Sequence, residues 1–356
     1  MRHSDFIPIV LESTYELPQL SMAKQFYLVT GGTGFIGSAV VRRLLRDGYK
    51  VRVLDNDSRG AQDRIADIRA DIELVAGDVR DKETVADAIR GTDGVHHLAF
   101  VNGTEYFYKV PEMVLEVGVK GIVNVIDGCL KHGVGSLFLA SSSEVYQTPP
   151  KTPTDETAPL VIPDPTNPRF SYAGGKITSE LMAINFGRKY FDRVVIYRPH
   201  NVYGPDMGWE HVIPQFAMRL GELGIAEPKG NLQFPILGSG EETRSFCFID
   251  DFVDGLALLH DHGQHLGIYH IGTMEEVTIR DLAQRVAACL GREIVIVPGV
   301  RPAGSTLRRC PDITKMRALG FSPKISLNEG LSIATHWYVN HLRESHFRGS
   351  LTHRGA

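Results

Sequence analysis

Tyr172 and Lys176, four residues apart in the run Tyr172-Ala173-Gly174-Gly175-Lys176, carry the plainest chemistry in this chain. On a helix, positions i and i+4 share a face. A lysine there brings its ammonium toward the phenol, favours phenolate and lowers the tyrosine pKa. A weak acid so tuned can take or give a proton near neutral pH. The same spacing also occurs as an ordinary surface pair, so the surroundings decide. Upstream, Ala140-Ser141-Ser142-Ser143-Glu144-Val145-Tyr146 follows an apolar run. A hydroxyl there can hydrogen-bond a reacting oxygen, or the small residues can simply make a turn.

The run Tyr27–Gly37 reads as a buried strand, a glycine turn and a helix start, with glycines at 31, 34 and 37. Such a turn lets backbone approach a pyrophosphate and aims helix N-terminal N–H groups at it. Asp55, followed by Asn56, ends the next strand candidate. A carboxylate there can accept from adenosine ribose hydroxyls and would repel a 2′-phosphate, so NAD is expected over NADP. Arg52 and Arg59 stand nearby and pull the other way. Asp78 can accept from an adenine amino group, or cap the helix beginning near Asp81. His96 and His97, in the strand leading to Leu98-Ala99, read as sheet histidines with satisfied hydrogen bonds. The cofactor side thus comprises Gly31, Gly34, Phe35, Ile36, Gly37, Asp55, Asn56, Asp78, Val79, Leu98 and Ala99.

These residues need a scaffold. Strand candidates fall at 26–30, 50–54, 72–75, 94–99, 136–140 and 193–197, with helices at 36–47, 81–90, 111–132 and 171–190. The alternation implies a parallel sheet covered on both faces. The expected class is α/β, a Rossmann-type doubly wound sheet with a smaller α/β C-terminal lobe. Thr148–Pro168 contains seven prolines and reads as a loop. Beyond Pro205, helices are expected at 211–223, 250–261 and 278–290, and strands at 233–237, 267–271 and 293–297. The division is an N-terminal extension at 1–24, a Rossmann domain at 25–200 with contributions from 233–272, a mainly substrate-binding lobe at 201–345, and a tail at 346–356.

The 356 residues allow a large core. A net charge of -4 gives no reason to expect a nucleic-acid partner. Cys129, Cys247, Cys289 and Cys310 are scattered without a C-x-x-C pair, so neither a structural metal nor a disulfide framework is expected. A reducing cytoplasm fits. No apolar run is long enough to span a bilayer, and 1–24 do not resemble a secretory signal.

Taken together, Thr30–Gly37, Ser141–Tyr146, Tyr172/Lys176 and Arg198–Pro205 make the chain resemble the extended short-chain dehydrogenase/reductases, the NAD-dependent nucleotide-sugar epimerase/dehydratase family. The resemblance runs from Gln25 to the end. It implies that Tyr172 removes a proton from a sugar hydroxyl while the 4-carbon passes hydride to NAD. Lys176 is then its electrostatic partner and Ser142, three residues before Val145, the hydroxyl helper. It implies Pro199 near the nicotinamide, Asn201 and Arg244 on the substrate diphosphate, Arg301 or Arg308 as further phosphate ligands, and Phe234 in the base pocket. It also implies a homodimer formed by the helices at 111–132 and 171–190.

Glu144 divides the readings. Many similar 4-epimerases have a small residue there, whereas 4,6-dehydratases carry Asp-Glu before the valine and use the glutamate on the 5-carbon proton. The pair Ser143-Glu144 is closer to UDP-glucuronate decarboxylases and GDP-mannose 4,6-dehydratases. Gln147 replaces the usual glycine. His200–Pro205 and Thr243–Phe246 also resemble GDP-mannose 3,5-epimerase, whose acid/base cysteine and lysine would fall at Glu144 and Glu210. The expectation is an NAD-dependent nucleotide-sugar epimerase inverting the 4-carbon. The alternatives are a 4,6-dehydratase or decarboxylase using Glu144, an epimerase at the 3- or 5-carbon, a net NAD(H) oxidoreductase, and a non-catalytic nucleotide-binding protein.

Overall fold

The apolar run Phe26–Thr30 forms the central strand β1, where Leu28 and Val29 are wholly buried. Burial on both faces is what a parallel sheet sandwiched by helices demands. Each such side chain contributes roughly 1.5–3 kcal/mol. The computed structural model describes residues 25–226, 230–301 and 304–342. The extension read at 1–24 and the tail at 346–356 lie outside the described residues.

Five more strands follow in the first lobe: β2 (Lys50–Asp55), β3 (Ile72–Ala76), β4 (Gly94–His97), β5 (Ser136–Ala140) and β6 (Arg193–Pro199). Among the later strands, β7 (Leu232–Ile236) and β9 (Ile294–Pro298) pair with each other in the second lobe, while β8 (Gly267–Ile271) returns to the main sheet. That sheet is parallel throughout, in the order β8-β6-β5-β4-β1-β2-β3. This is the doubly wound α/β fold. Of the segment 233–272, the strand β8 joins the main sheet, and the helix Ile249–His262 packs on β6. The order reverses between β1 and β4, which opens a crevice beyond their carboxyl ends.

The helices of the first lobe are α1 (Phe35–Arg46), α2 (Lys82–Ile89), α3 (Pro111–His132) and α4 (Ser171–Tyr190). α1 begins after Gly34 with no side-chain cap, so its first-turn N–H groups stay available at the crevice. α2 is capped by Asp81, whose carboxylate accepts from the N–H groups of Glu83 and Thr84. Asp78 is therefore not the cap. α3 and α4 lie side by side and carry Tyr172 and Lys176 against the sheet. The second lobe contains α5 (Val212–Ala226), α6 (Ile249–His262), α7 (Ile279–Cys289) and α8 (Leu327–Asn340). α6 packs back on α1, so one apolar core runs through both lobes.

Three stretches depart from the sequence expectation. β4 stops at His97, and the N–H groups of Leu98 and Ala99 instead bond the Thr30 hydroxyl at 3.2 Å each. A short helix, Thr104–Lys109, follows. The polar segment Gln62–Asp71 winds into a 3-10 helix that buries only Ile65. Among the described residues, no helix is long and apolar enough to cross a membrane, and no cluster of His, Cys, Asp or Glu is placed to hold a metal ion.

Candidate active site

A cleft of about 400 Å³ opens at the strand reversal and runs between the lobes. Of the residues singled out from sequence, it brings together Gly31, Gly34, Phe35, Ile36, Gly37, Asp55, Asn56, Asp78, Val79, Leu98, Ala99, Ser142, Glu144, Tyr172, Lys176, Pro199 and Asn201.

Its first-lobe half is shaped for a close approach. Gly31 has φ +75°, and a Cβ there would come within 2.9 Å of the Ala99 backbone. A Cβ on Gly37 would lie 1.9 Å from the Gly31 carbonyl oxygen. Asp55 accepts from the Thr33 N–H at 3.0 Å and from the Asp57 N–H at 3.0 Å, which aims its carboxylate across the glycine turn. Asp78 is ion-paired to Arg80 at 2.8 Å and accepts from Asn56 at 2.9 Å. Neither nearby arginine is turned to a ribose phosphate. Arg52 pairs with Glu73 at 2.6 Å, and Arg59 with Glu210 at 3.3 Å. A pyrophosphate and a ribose with free hydroxyls suit this cradle.

At the other end Tyr172 is buried, stacked on Phe107 at 5.1 Å and edge-on to Phe100 at 5.0 Å. Burial raises its phenol above the ordinary value, while a hydrogen bond to Ser142 works the other way. Ser142 also accepts from the Glu144 N–H at 3.1 Å, which caps a short 3-10 turn. Lys176 does not aim its ammonium at the phenol. Its ammonium donates to the Ala140 carbonyl at 2.7 Å and sits 4.1 Å from the Phe100 ring centre, against 5.7 Å from that of Tyr172. Burial brings Lys176 down to about 7, with Glu180 opposing.

Glu144 is the electrostatic centre. Burial would raise its carboxyl. The charge and hydrogen bond of Arg309, with Arg169 and Arg244 behind, override that and hold it below the usual range. Arg309 Nη1 donates to Glu144 Oε1 at 2.6 Å. Arg244 donates to the carbonyls of Thr243 and Thr306, and burial beside Arg309 lowers it to about 10. One guanidinium thus bonds the carboxylate, and two more act on it through their charge.

Four expected substrate residues do not line the cleft. Phe234 is wholly buried in β7 against Phe216. Arg244 lies behind Arg309 as described. Arg301 is exposed. Arg308 points outward and pairs with Glu276 at 2.7 Å. The arginine that lines the cleft is its neighbour Arg309. Arg308 and Arg309 form a two-residue strand, and alternation sends one out and the other into the cleft. The adjacent arginine pair was the available signal. Phe100 and Phe107 had none, because segment 100–110 shows no clear periodicity.

Gln147 adopts φ 52°, ψ -92°, in a region that suits glycine. Such a residue costs on the order of 1–3 kcal/mol. His97 bonds Thr30 at 2.8 Å as expected. His96 differs: it stacks on Phe138 at 4.5 Å, and among the described residues neither ring nitrogen has a partner.

The family model described as the NAD dependent epimerase/dehydratase family matches residues 27–272. UDP-glucuronic acid decarboxylase 1 of Arabidopsis thaliana is 31% identical over 309 residues, spanning 85% of this chain and 67% of that protein. The dTDP-glucose 4,6-dehydratase of Streptomyces niveus is 30% identical over 324 residues, spanning 87% and 92%. Among solved structures, the NAD complex of Thermus thermophilus UDP-glucose 4-epimerase superposes with a TM-score of 0.77 at 29% identity, covering 90% of this chain and 99% of that one.

Proposed function

The chain belongs to the NAD-dependent epimerase/dehydratase family, and from that premise we propose that it is a nucleotide-sugar 4-epimerase. When bound, NAD supplies the hydride acceptor for the 4-carbon and returns the hydride to it. The glycine turn and Asp55 hold the dinucleotide, with Pro199 at its reactive end. Tyr172 takes the proton of the 4-hydroxyl and later gives it back, with the Ser142 hydroxyl orienting the same oxygen. Lys176 acts from the side, as a cation beneath the site rather than on the phenol.

The observation that carries the choice is the state of residues 143 and 144. Eliminating water needs an acid and a free base beside the sugar. Position 143 is a buried serine, and the Glu144 carboxylate is committed to Arg309. Oxidation and re-reduction at the 4-carbon need neither. Glu210, the other group an epimerase at the 3- or 5-carbon would need, is tied to Arg59. Arg169, Arg244 and Arg309 against one carboxylate leave surplus positive charge, which suits a diphosphate. Asn201 lines the same cleft as Arg309.

A decarboxylase is the second reading. The same surplus charge would draw in a sugar carboxylate, and loss of carbon dioxide from a 4-keto acid needs no base. Product mass separates the two: an isomer of unchanged mass supports the epimerase, and a product lighter by carbon dioxide overturns it. We infer a cytoplasmic homodimer. Its support is that α3 and α4 lie side by side and expose Leu115, Leu130, Leu181 and Tyr190.

A further inference from the structure

Phe100 stands just beyond the end of β4, and its ring touches both members of the Tyr172–Lys176 pair. It lies edge-on to Tyr172 at 5.0 Å, and the Lys176 ammonium sits over its face at 4.1 Å from the ring centre. Two helices leave room for it. A Cβ on Gly118 of α3 would come within 2.3 Å of Phe100 Cζ, and one on Gly175 of α4 within 2.8 Å of the same atom. Glycine inside a helix is destabilising relative to alanine, so its presence at both contact points marks the space the ring requires. The ring is seated in a slot of backbone from two elements, and it lines the cleft as Lys176 does.

Lys176 is buried, and a buried cation is costly unless something offsets the water it loses. Among the described residues it has no carboxylate of its own. Glu180, one turn along the same face, is taken by Arg198, whose Nη2 and Nε reach its two oxygens at 2.6 and 2.8 Å. His97, facing from β4, is pushed down to about 3 by burial and is neutral near pH 7. Tyr172, the remaining titratable neighbour, is raised by burial and is uncharged there. The ammonium is left with the Ala140 carbonyl at 2.7 Å and the negative face of Phe100. An aromatic face attracts a desolvated cation through the ring quadrupole.

We propose that Phe100 is a positioning residue that holds the Lys176 ammonium against the Ala140 carbonyl by a cation–π contact and so keeps it charged beneath the reacting groups. The kinetic consequence rests on the 4-epimerase reading; the contact itself does not. Weakening the ring's face disfavours the charged form, so the pH at which Lys176 gives up its proton falls.

The test puts phenylalanine bearing one, two or three ring fluorines at position 100 of the full, NAD-saturated chain, beside wild type and Phe100→Leu. Fluorine drains the negative face of the ring with little change in its size. Urea denaturation against pH, with and without Lys176→Met, reads the pH at which the lysine titrates in the folded chain. That pH should fall stepwise with fluorine number, by about one unit with three fluorines and in Phe100→Leu. On the nucleotide sugar that wild type converts, the alkaline limb of the kcat profile should move down by the same step, with KM within about twofold of wild type. If Phe100→Leu is unstable, the fluorinated series decides. A titration that stays at the wild-type pH through the series overturns the proposal. So does a fall of equal size at every fluorine number, which is what lost packing alone would give. A wild type inactive on every nucleotide sugar would instead refute the 4-epimerase reading, and the titration would still decide the contact.

Discussion

Replacing Arg309 by methionine removes the cation that keeps Glu144 ionised while preserving much of the side-chain volume. The pair is 2.6 Å apart, with the arginine side chain 8% exposed and the glutamate 24%. Breaking a buried pair and leaving one charge behind costs about 3–5 kcal/mol. Arg169 and Arg244 remain near the carboxylate, so the lower end, about 3 kcal/mol, is expected. Glu144→Gln leaves three guanidinium groups without a counter-charge and should cost about 2 kcal/mol. The double variant should lose about 3 kcal/mol, which leaves a coupling near 2 kcal/mol. Urea denaturation of the four proteins at neutral pH measures it. The sign of the pH dependence follows from a carboxyl held below its ordinary 4.5. The pair contributes fully above that value, and the gap between wild type and Arg309→Met closes as pH falls through the lowered one. Costs that add within about 0.5 kcal/mol, or a gap that does not shrink in acid, would refute the reasoning.

Tyr172→Phe should lower turnover about 10²-fold or more, measured as steady-state kcat; unchanged turnover removes the phenol from the chemistry. Lys176 falls from 10.5 to about 7 on folding, so between those values the unfolded chain binds the extra proton and stability rises with pH. On cofactor-free protein, wild type should gain on Lys176→Met by about 1.4 kcal/mol per pH unit above pH 7; a flat difference in urea denaturation contradicts the burial argument. Asp55→Asn should weaken NAD binding about tenfold and narrow the preference over NADP, read by titration calorimetry with each dinucleotide; an unchanged preference would free Asp55 from the ribose role.

The main sheet was legible because its strands are short apolar runs broken by turns. Phe26–Thr30, Ser136–Ala140 and the helices at 111–132 and 171–190 needed nothing beyond periodicity. The glycine turn was legible because spacing alone specifies it. Reach across the fold was not. Phe234 belongs to an apolar run, yet which side of it faces a ligand depends on β9, far away in sequence. Arg308 and Arg309 differ only by the alternation of a strand two residues long. The direction of Lys176 was hidden for a related reason: helical spacing puts the residues on one face but does not say where a long side chain ends. It ends at the Ala140 carbonyl. Gln147 was visible as a departure, but the bond its main-chain carbonyl accepts from Thr306 exists only in the folded chain.

The most direct test of the central claim is to incubate the purified protein with a panel including UDP-glucose and UDP-glucuronate in heavy water. Mass spectrometry and proton NMR then follow the products. The account predicts an isomer of unchanged mass, inverted at the 4-carbon, with no deuterium on any ring carbon. Loss of water or carbon dioxide, or deuterium at the 3- or 5-carbon, would contradict it.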